Sequence, residues 1–291
     1  LNLSESNIGS AVTVLSAIAP ATDPTFQNGG VRIFDGNDAG GRALVGTDNS
    51  DTLSGLAGND SLFGGEGLDT LLGGDGNDTF FITKASDLIS GKTISGGSGT
   101  DTLFVSGSSI QQLISAPLEI ETMEIFDLSG GADTGVIVAM NAANLEAFST
   151  ITGDGIADLI VTIGGNYTLS SFSTLTNIER IVLADTTSDS NNGVQSFIIQ
   201  DGATITGLLS VIGATGASDA PDHNIEIFGD RDLSGLQIIN IDAVELKDDG
   251  GARQTLGVNF FGTGLAEIRG LKVGTGSATD VFDYKSNLVA G

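Results

Sequence analysis

Cysteine and tryptophan are absent from this chain, histidine occurs once, and 11 lysines and arginines face 37 aspartates and glutamates. Without thiols there is no disulfide scaffold and no thiolate zinc site, and nothing ties the fold to a redox compartment. The single histidine, His223, excludes an HExxH helix and any multi-histidine metal centre. Its surroundings, APDHNIEIF, read as a turn carrying an exposed structural histidine. A formal charge of −26 argues against nucleic acid or an anionic membrane as partner. Such a charge also strains a compact fold unless bound cations offset it. No apolar run reaches the roughly 18 residues of a membrane span, so the chain reads as not membrane-spanning. The stretch AVTVLSAIAP at 11–20 has the length of a secretory-signal core, but the first basic residue is Arg32, so the cationic start is missing. Leu rather than Met stands first, as in a fragment or a processed product.

Catalytic signatures are missing too. There is no G-x-S-x-G elbow, and Gly91-Lys92-Thr93 mimics the end of a phosphate-binding loop with Ser86 where its first glycine is required. We expect no enzyme, although so many acids leave carboxylate-pair chemistry open.

What the chain has in quantity is glycine, 43 residues, together with a hydrophobic content of 40%. That content separates it from a disordered acidic tail. Residues 46–81 read as four nonapeptides, GTDNSDTLS, GLAGNDSLF, GGEGLDTLL and GGDGNDTFF, and another, GGSGTDTLF, follows at 96–104. The template is G-G-x-G-x-D-x-U-x, with U a large apolar residue. It holds a six-residue turn and a three-residue strand, so two copies make one coil and turns alternate between two sides. Residues one coil apart then stack at about 4.8 Å, the spacing of paired strands. Asp51 lies over Asp69 on one side and Asp60 over Asp78 on the other. A hard divalent cation converts the repulsion of such stacked carboxylates into ligation. Calcium suits the task, since it takes about six to eight oxygens, carbonyls included. The candidate ligand positions are Asp51, Asp60, Asp69, Asp78 and Asp101, with the turn residues Asp48, Asn59, Asp75 and Asn77. The glycines Gly64, Gly65, Gly67, Gly73, Gly74, Gly76, Gly96, Gly97 and Gly99 let turn carbonyls point inward. The U residues Leu53, Leu62, Leu71, Phe80 and Leu103 form a thin apolar stack.

The first two copies are degenerate, with Thr47, Asn49 and Leu56 at glycine positions. Followed outward, the phase makes 82–90 a turn without glycines around Asp87, after which Gly91 to Ser95 reset it. Upstream, 37–45 keeps Leu44 at the U position but places Arg42 where Asp belongs, and reads as a cap whose cation closes the calcium row.

Beyond residue 105 a looser phrase recurs every 25–33 residues, an Ile or Leu often followed by an acid, with apolar residues three and often five positions on. It centres on Ile120, Leu145, Ile178, Leu208, Ile241 and Ile268, with β-type runs between. We expect all-β structure: a β-roll continuing into a β-solenoid of larger coils, with a β-sandwich as the alternative for the C-terminal part. The expected organisation is an N-terminal segment 1–36, a calcium-binding β-roll 37–104 and a solenoid 105–291. The phrase's acids, Glu121, Glu146, Glu179 and Asp242, are expected on a solvated edge without chemistry. Acid-rich turns at 153–158 and 229–232 read as solvated turns, with secondary calcium sites as the alternative. Short helices are expected within 106–116 and 138–147.

The motif at 46–81 and 96–104 resembles the RTX nonapeptide of type I-secreted bacterial proteins. The resemblance implies bound calcium, export without a cleaved N-terminal signal, and an extracellular location. With further β-repeats and no catalytic signature, the chain is most similar to the structural members. The expected role is a secreted, calcium-dependent surface protein, an S-layer, filament or adhesin subunit that self-assembles into a lattice or fibre. The alternatives are the non-catalytic segment of a larger RTX enzyme, or a lectin whose partner is cell-surface polysaccharide. Two tyrosines and no obvious aromatic platform weigh against the lectin.

Overall fold

A strand of three residues followed by a tight turn cannot pair with its immediate successor, which leaves on the opposite face. It pairs with the strand one coil away, and that pairing is parallel. The computed structural model shows this pattern throughout. It describes residues 32–34, 40–84, 87, 91–106, 113–114, 119–130, 135–163, 165–170, 173–184, 195–213, 223–229, 231–233, 236–241, 243–247, 255–258, 267–270 and 281–284. The chain divides into two units, Leu1–Val136 and Ile137–Gly291.

The first unit contains β1 (Arg32–Phe34), β2 (Ala43–Val45), β3 (Thr52–Ala57), β4 (Ser61–Phe63), β5 (Thr70–Asp75), β6 (Thr79–Ile82), β7 (Thr93–Ser98), β8 (Thr102–Val105), β9 (Leu113–Ile114), β10 (Glu119–Glu121) and β11 (Ile125–Asp127). Strands sort alternately into two faces up to β8, after which β10 joins the first and β11 the second, giving β1-β3-β5-β7-β10 and β2-β4-β6-β8-β11. The apolar stack runs Leu53↔Leu71↔Ile94 on one face and Leu44↔Leu62↔Phe80↔Leu103↔Phe126 on the other. All eight side chains are buried, each stabilising the roll by about 1.5–3 kcal/mol. On the outer surface Phe63 stacks on Phe81 at 4.3 Å and Phe104 meets Phe81 edge-on at 5.4 Å. These half-buried rings form an aromatic row that the sequence reading does not anticipate.

The second unit winds wider coils. Its strands are β12 (Ile137–Asn141), β13 (Thr150–Thr152), β14 (Leu159–Ile163), β15 (Tyr167–Leu169), β16 (Thr174–Thr176), β17 (Arg180–Ala184), β18 (Gln195–Ile199), β19 (Thr204–Thr206), β20 (Ser210–Gly213), β21 (His223–Phe228), β22 (Arg231–Leu233), β23 (Gln237–Ile239), β24 (Ala243–Lys247), β25 (Thr255–Val258), β26 (Glu267–Gly270) and β27 (Val281–Tyr284). Within this unit they stack as β12-β14-β17-β20-β23, β13-β16-β19, β15-β18-β21-β24-β26 and β22-β25-β27. Successive strands such as β14, β15 and β16 enter different sheets, which gives three strands per coil. The core ladder Val138↔Ile160↔Ile181↔Val211↔Ile238 is buried along its length. Every strand pairing is parallel among the described residues, so the solenoid holds and the antiparallel sandwich does not.

Several local expectations are corrected. His223 opens strand β21 and is buried, because the apolar run HNIEIF starts at it. The helix expected at 138–147 shrinks to α1 (Ala142–Leu145), since 137–141 pairs in β12. Asn141 caps α1 by accepting the Asn144 backbone N–H at 2.8 Å. In 106–116, the described residues 113–114 form strand β9, and 107–112 lie outside the described residues. Asp242 also lies outside the described residues.

Candidate calcium-binding site

Turns of the first unit bring the repeat aspartates inside. Asp51, Asp60, Asp69, Asp78 and Asp101 are each no more than 3% exposed. One oxygen of each carboxylate has a fixed use. Asp69 Oδ1 accepts the backbone N–H of Asp51 at 2.9 Å, Asp78 Oδ1 that of Asp60 at 2.7 Å, and Asp101 Oδ1 that of Asp78 at 2.8 Å. Arg42, standing where an earlier Asp would, donates its backbone N–H to Asp60 Oδ1 at 2.8 Å. At the other end Glu124 Oε2 accepts the Asp101 backbone N–H at 2.7 Å. The rows are therefore carboxylate-to-backbone ladders. Each rung joins two coils, a use of the acids that spacing alone does not disclose.

The second oxygen points into the turn. A Cβ on Gly73 would lie 2.2 Å from Asp78 Oδ2 and 2.5 Å from the Gly96 carbonyl, so the first glycine of the repeat vacates the space its aspartate fills. Gly74 and Gly76 have φ of 118° and 135°, and Cβ atoms there would meet the Leu56 and Gly58 carbonyls at 2.2 and 2.0 Å. The turns nest so closely that carbonyls of one coil lie against the glycines of the next. Asp78 Oδ2 and Asp101 Oδ2 are buried without a hydrogen-bond partner. Desolvation raises the pKa of Asp78 and Asp101 above the usual carboxylate range, against the lowering effect of the backbone hydrogen bonds. Buried anionic oxygens among carbonyls fit a hard cation of calcium's kind. No three acidic or histidine side chains converge among the described residues, and the oxygens gathered at these turns are those of a carboxylate and of main-chain carbonyls.

The remaining predicted positions divide by their place in the turn. Asp48, Asn59, Asp75 and Asn77 lie exposed on the turn surface. Asn59 Oδ1 accepts the Asn77 N–H and Asn77 Oδ1 the Thr100 N–H, both at 2.9 Å, a second ladder outside the first. Gly64, Gly65 and Gly67 form the turn before Asp69, and Gly96, Gly97 and Gly99 the one before Asp101. Leu56, a degenerate position, keeps the left-handed φ of 69°.

The side carrying Asp51 and Asp69 is furnished differently. Thr47 donates its backbone N–H and hydroxyl to Asp51. Thr83 does the same for Asp87 Oδ2, at 2.9 and 3.0 Å. Between them the Lys92 ammonium sits 2.8 Å from Asp69 Oδ2 and donates to the Gly65 carbonyl at 2.9 Å. Burial raises the Asp69 pKa, with Lys92 opposing the rise. Lys92 was legible only as a poor phosphate-loop match; the break in repeat phase beside it was the available signal.

In the second unit Asp158 is fully buried rather than solvated, and Glu179, 8% exposed, is not on a solvated edge. Glu179 Oε2 accepts the Asp158 N–H at 2.6 Å. Glu121 and Glu146 are exposed, Glu146 accepting the Thr168 N–H at 2.7 Å.

The model of the RTX calcium-binding nonapeptide repeat, in 4 copies, matches residues 45–80 and 93–107. No curated protein and no solved structure matches the chain. The chain thus carries RTX repeats, a repeat typical of secreted proteins, and its cofactor is Ca2+.

Proposed function

We propose that this chain is a structural subunit of a bacterial surface, an S-layer, filament or adhesin component that folds on meeting calcium outside the cell and then self-assembles. The observation that supports calcium-driven folding is the buried carboxylate row, with Asp78 Oδ2 and Asp101 Oδ2 lacking a hydrogen-bond donor. Uncompensated buried anions of this kind are costly, so the acidic coils resist folding where free calcium is scarce. Bound calcium neutralises those oxygens, and its binding free energy becomes folding free energy. Asp60, Asp78 and Asp101 with the carbonyls of their nested turns would hold it.

A structural rather than catalytic role is favoured by where the acids go. In both units glutamates are spent on coil-to-coil bonds, Glu124 accepting the Asp101 backbone N–H and the buried Glu179 that of Asp158. Stacked parallel coils also end in strand edges that need a cover or a further subunit. Negative-stain electron microscopy in millimolar calcium, against an EGTA control, tests the reading. Ordered sheets or fibres that vanish with EGTA support it; isolated particles in both conditions overturn self-assembly.

The half-buried Phe63, Phe81 and Phe104 row favours a second reading, binding of the apolar face of a surface polysaccharide. Glycan-array binding lost in Phe81→Ala would support that reading.

A further inference from the structure

The two sides of the roll treat their aspartates differently. Thr70 pairs with Thr93, so Lys92 stands in the register position that an aspartate of the next coil would hold. Down this side the row reads Asp51, Asp69, Lys92. The Thr93 N–H donates to the Asp69 carbonyl at 2.9 Å, as the Thr70 N–H does to Asp51 at 2.8 Å, so the backbone rung survives the exchange. The side chain turns back onto the previous coil. Its ammonium meets Asp69 Oδ2 and the Gly65 carbonyl, the sixth and second residues of the 64–69 turn. The equivalent atoms of the 73–78 turn are Asp78 Oδ2, which has no hydrogen-bond donor, and the Gly74 carbonyl. Both members of the Lys92–Asp69 pair are essentially excluded from water, at 1% and 0% side-chain exposure. An ammonium this deep needs a partner, and the turn offers it an oxygen set of the type a metal would use.

We infer that Lys92 is a built-in counter-ion that takes the place of a calcium ion at the 64–69 turn and closes the calcium row on that side. Thr47 donors serve the flanking Asp51, and Thr83 donors serve Asp87 Oδ2, whereas Asp87 Oδ1 is buried without a hydrogen-bond partner. Calcium is then kept out of the 64–69 turn, while the opposite side, around Asp60, Asp78 and Asp101, keeps its sites. The five residues Gly91 to Ser95 are what deliver Lys92 to this position, since the rungs joined by hydrogen bonds span 18 residues before them and 23 across them.

This inference rests on the calcium reading, and counting ions by native mass spectrometry of the whole chain separates the two. Lys92→Met should bind one ion more than the wild type, because the emptied oxygens of Asp69 and Gly65 become available. The double variant Lys92→Met/Asp69→Asn, which removes both charges, should fold and return to the wild-type count. Far-UV circular dichroism should show Lys92→Met requiring calcium at lower denaturant than the double variant does. Equal, non-zero counts in wild type and Lys92→Met overturn the role of Lys92 alone, as does a Lys92→Met chain that stays unfolded in saturating calcium. A wild type that binds no calcium overturns both readings.

Discussion

Glu179 accepts the backbone N–H of Asp158 at 2.6 Å, and both side chains are buried. The bond repeats in the second unit what Glu124 does for Asp101 in the first. Gly153 completes the likeness: its missing Cβ leaves room for Asp158 Oδ2 and the Asn177 carbonyl, as that of Gly96 does for Asp101 Oδ2 and the Thr122 carbonyl. Asp154 donates its N–H to Asp158 Oδ2, so here the second oxygen is satisfied by the chain itself. Glu179→Ala should therefore destabilise the protein by about 1–3 kcal/mol, the cost of stranding a buried N–H. Glu179→Gln keeps an acceptor and should cost less. Urea unfolding in saturating calcium measures both, and equal losses would show that the bond is unimportant.

The paired oxygens of Asp78 predict a different phenotype. Asp78→Asn preserves an oxygen for the Asp60 N–H but removes the charge from the atom that has no donor. The fold in excess calcium should survive, while the calcium needed to reach it rises about tenfold or more, equivalent to about 1.4 kcal/mol or more. A calcium titration followed by far-UV circular dichroism reads the shift. An unchanged midpoint would remove Asp78 from the site.

The nonapeptide phase was legible because glycine, aspartate and leucine recur in step, and each answers to a separate constraint: a close carbonyl, a buried anion, a core position. The same reasoning passed over Lys92, since its place depends on the register between β5 and β7 rather than on its neighbours in sequence. Glu179 was misread for a related reason. An acid after an isoleucine looks solvated until the coil that packs its backbone against it is known. The phrase at 120–125 suggests Glu121 as its counterpart, but Thr122 and Asn177 share left-handed φ values of 50° and 54°, which makes Glu124 the equivalent residue. Wider coils were visible as a recurrence because the buried Ile178 and Ile241 follow tight corners at Asn177 and Asn240. The first centre, Ile120, lies three residues before its equivalent, the buried Met123 after Thr122.

Glycine at the first repeat position is predicted to matter through space rather than flexibility. Gly73→Ala places a methyl 2.2 Å from Asp78 Oδ2 and 2.5 Å from the Gly96 carbonyl, so the carboxylate or the next coil must move. Overpacking of this kind costs about 1–3 kcal/mol, and calcium affinity should fall with it. Gly91→Ala is the control. Its φ is 86° but the nearest atom, Leu68 Cδ2, is 3.5 Å away, so only backbone strain of about 1 kcal/mol applies and calcium affinity should hold. Thermal melts and calcium titrations of both variants distinguish the two effects.

Acidity should act on this protein in opposite directions with and without metal. Asp78 and Asp101 have folded-state pKa values raised above the ordinary 3.8, chiefly by desolvation. A raised carboxyl favours the protonated form in the folded state. Its folded state is then least penalised below 3.8, and stability is lost as pH climbs through the raised value. In EGTA, the roll should gain stability as pH is lowered from neutrality through that raised range. In calcium the metal needs the ionised carboxylates, so protons compete and apparent calcium affinity should fall over the same interval. Urea midpoints across that range, with EGTA and with calcium, measure the two slopes. Parallel slopes of the same sign would show that these aspartates do not link proton and calcium binding.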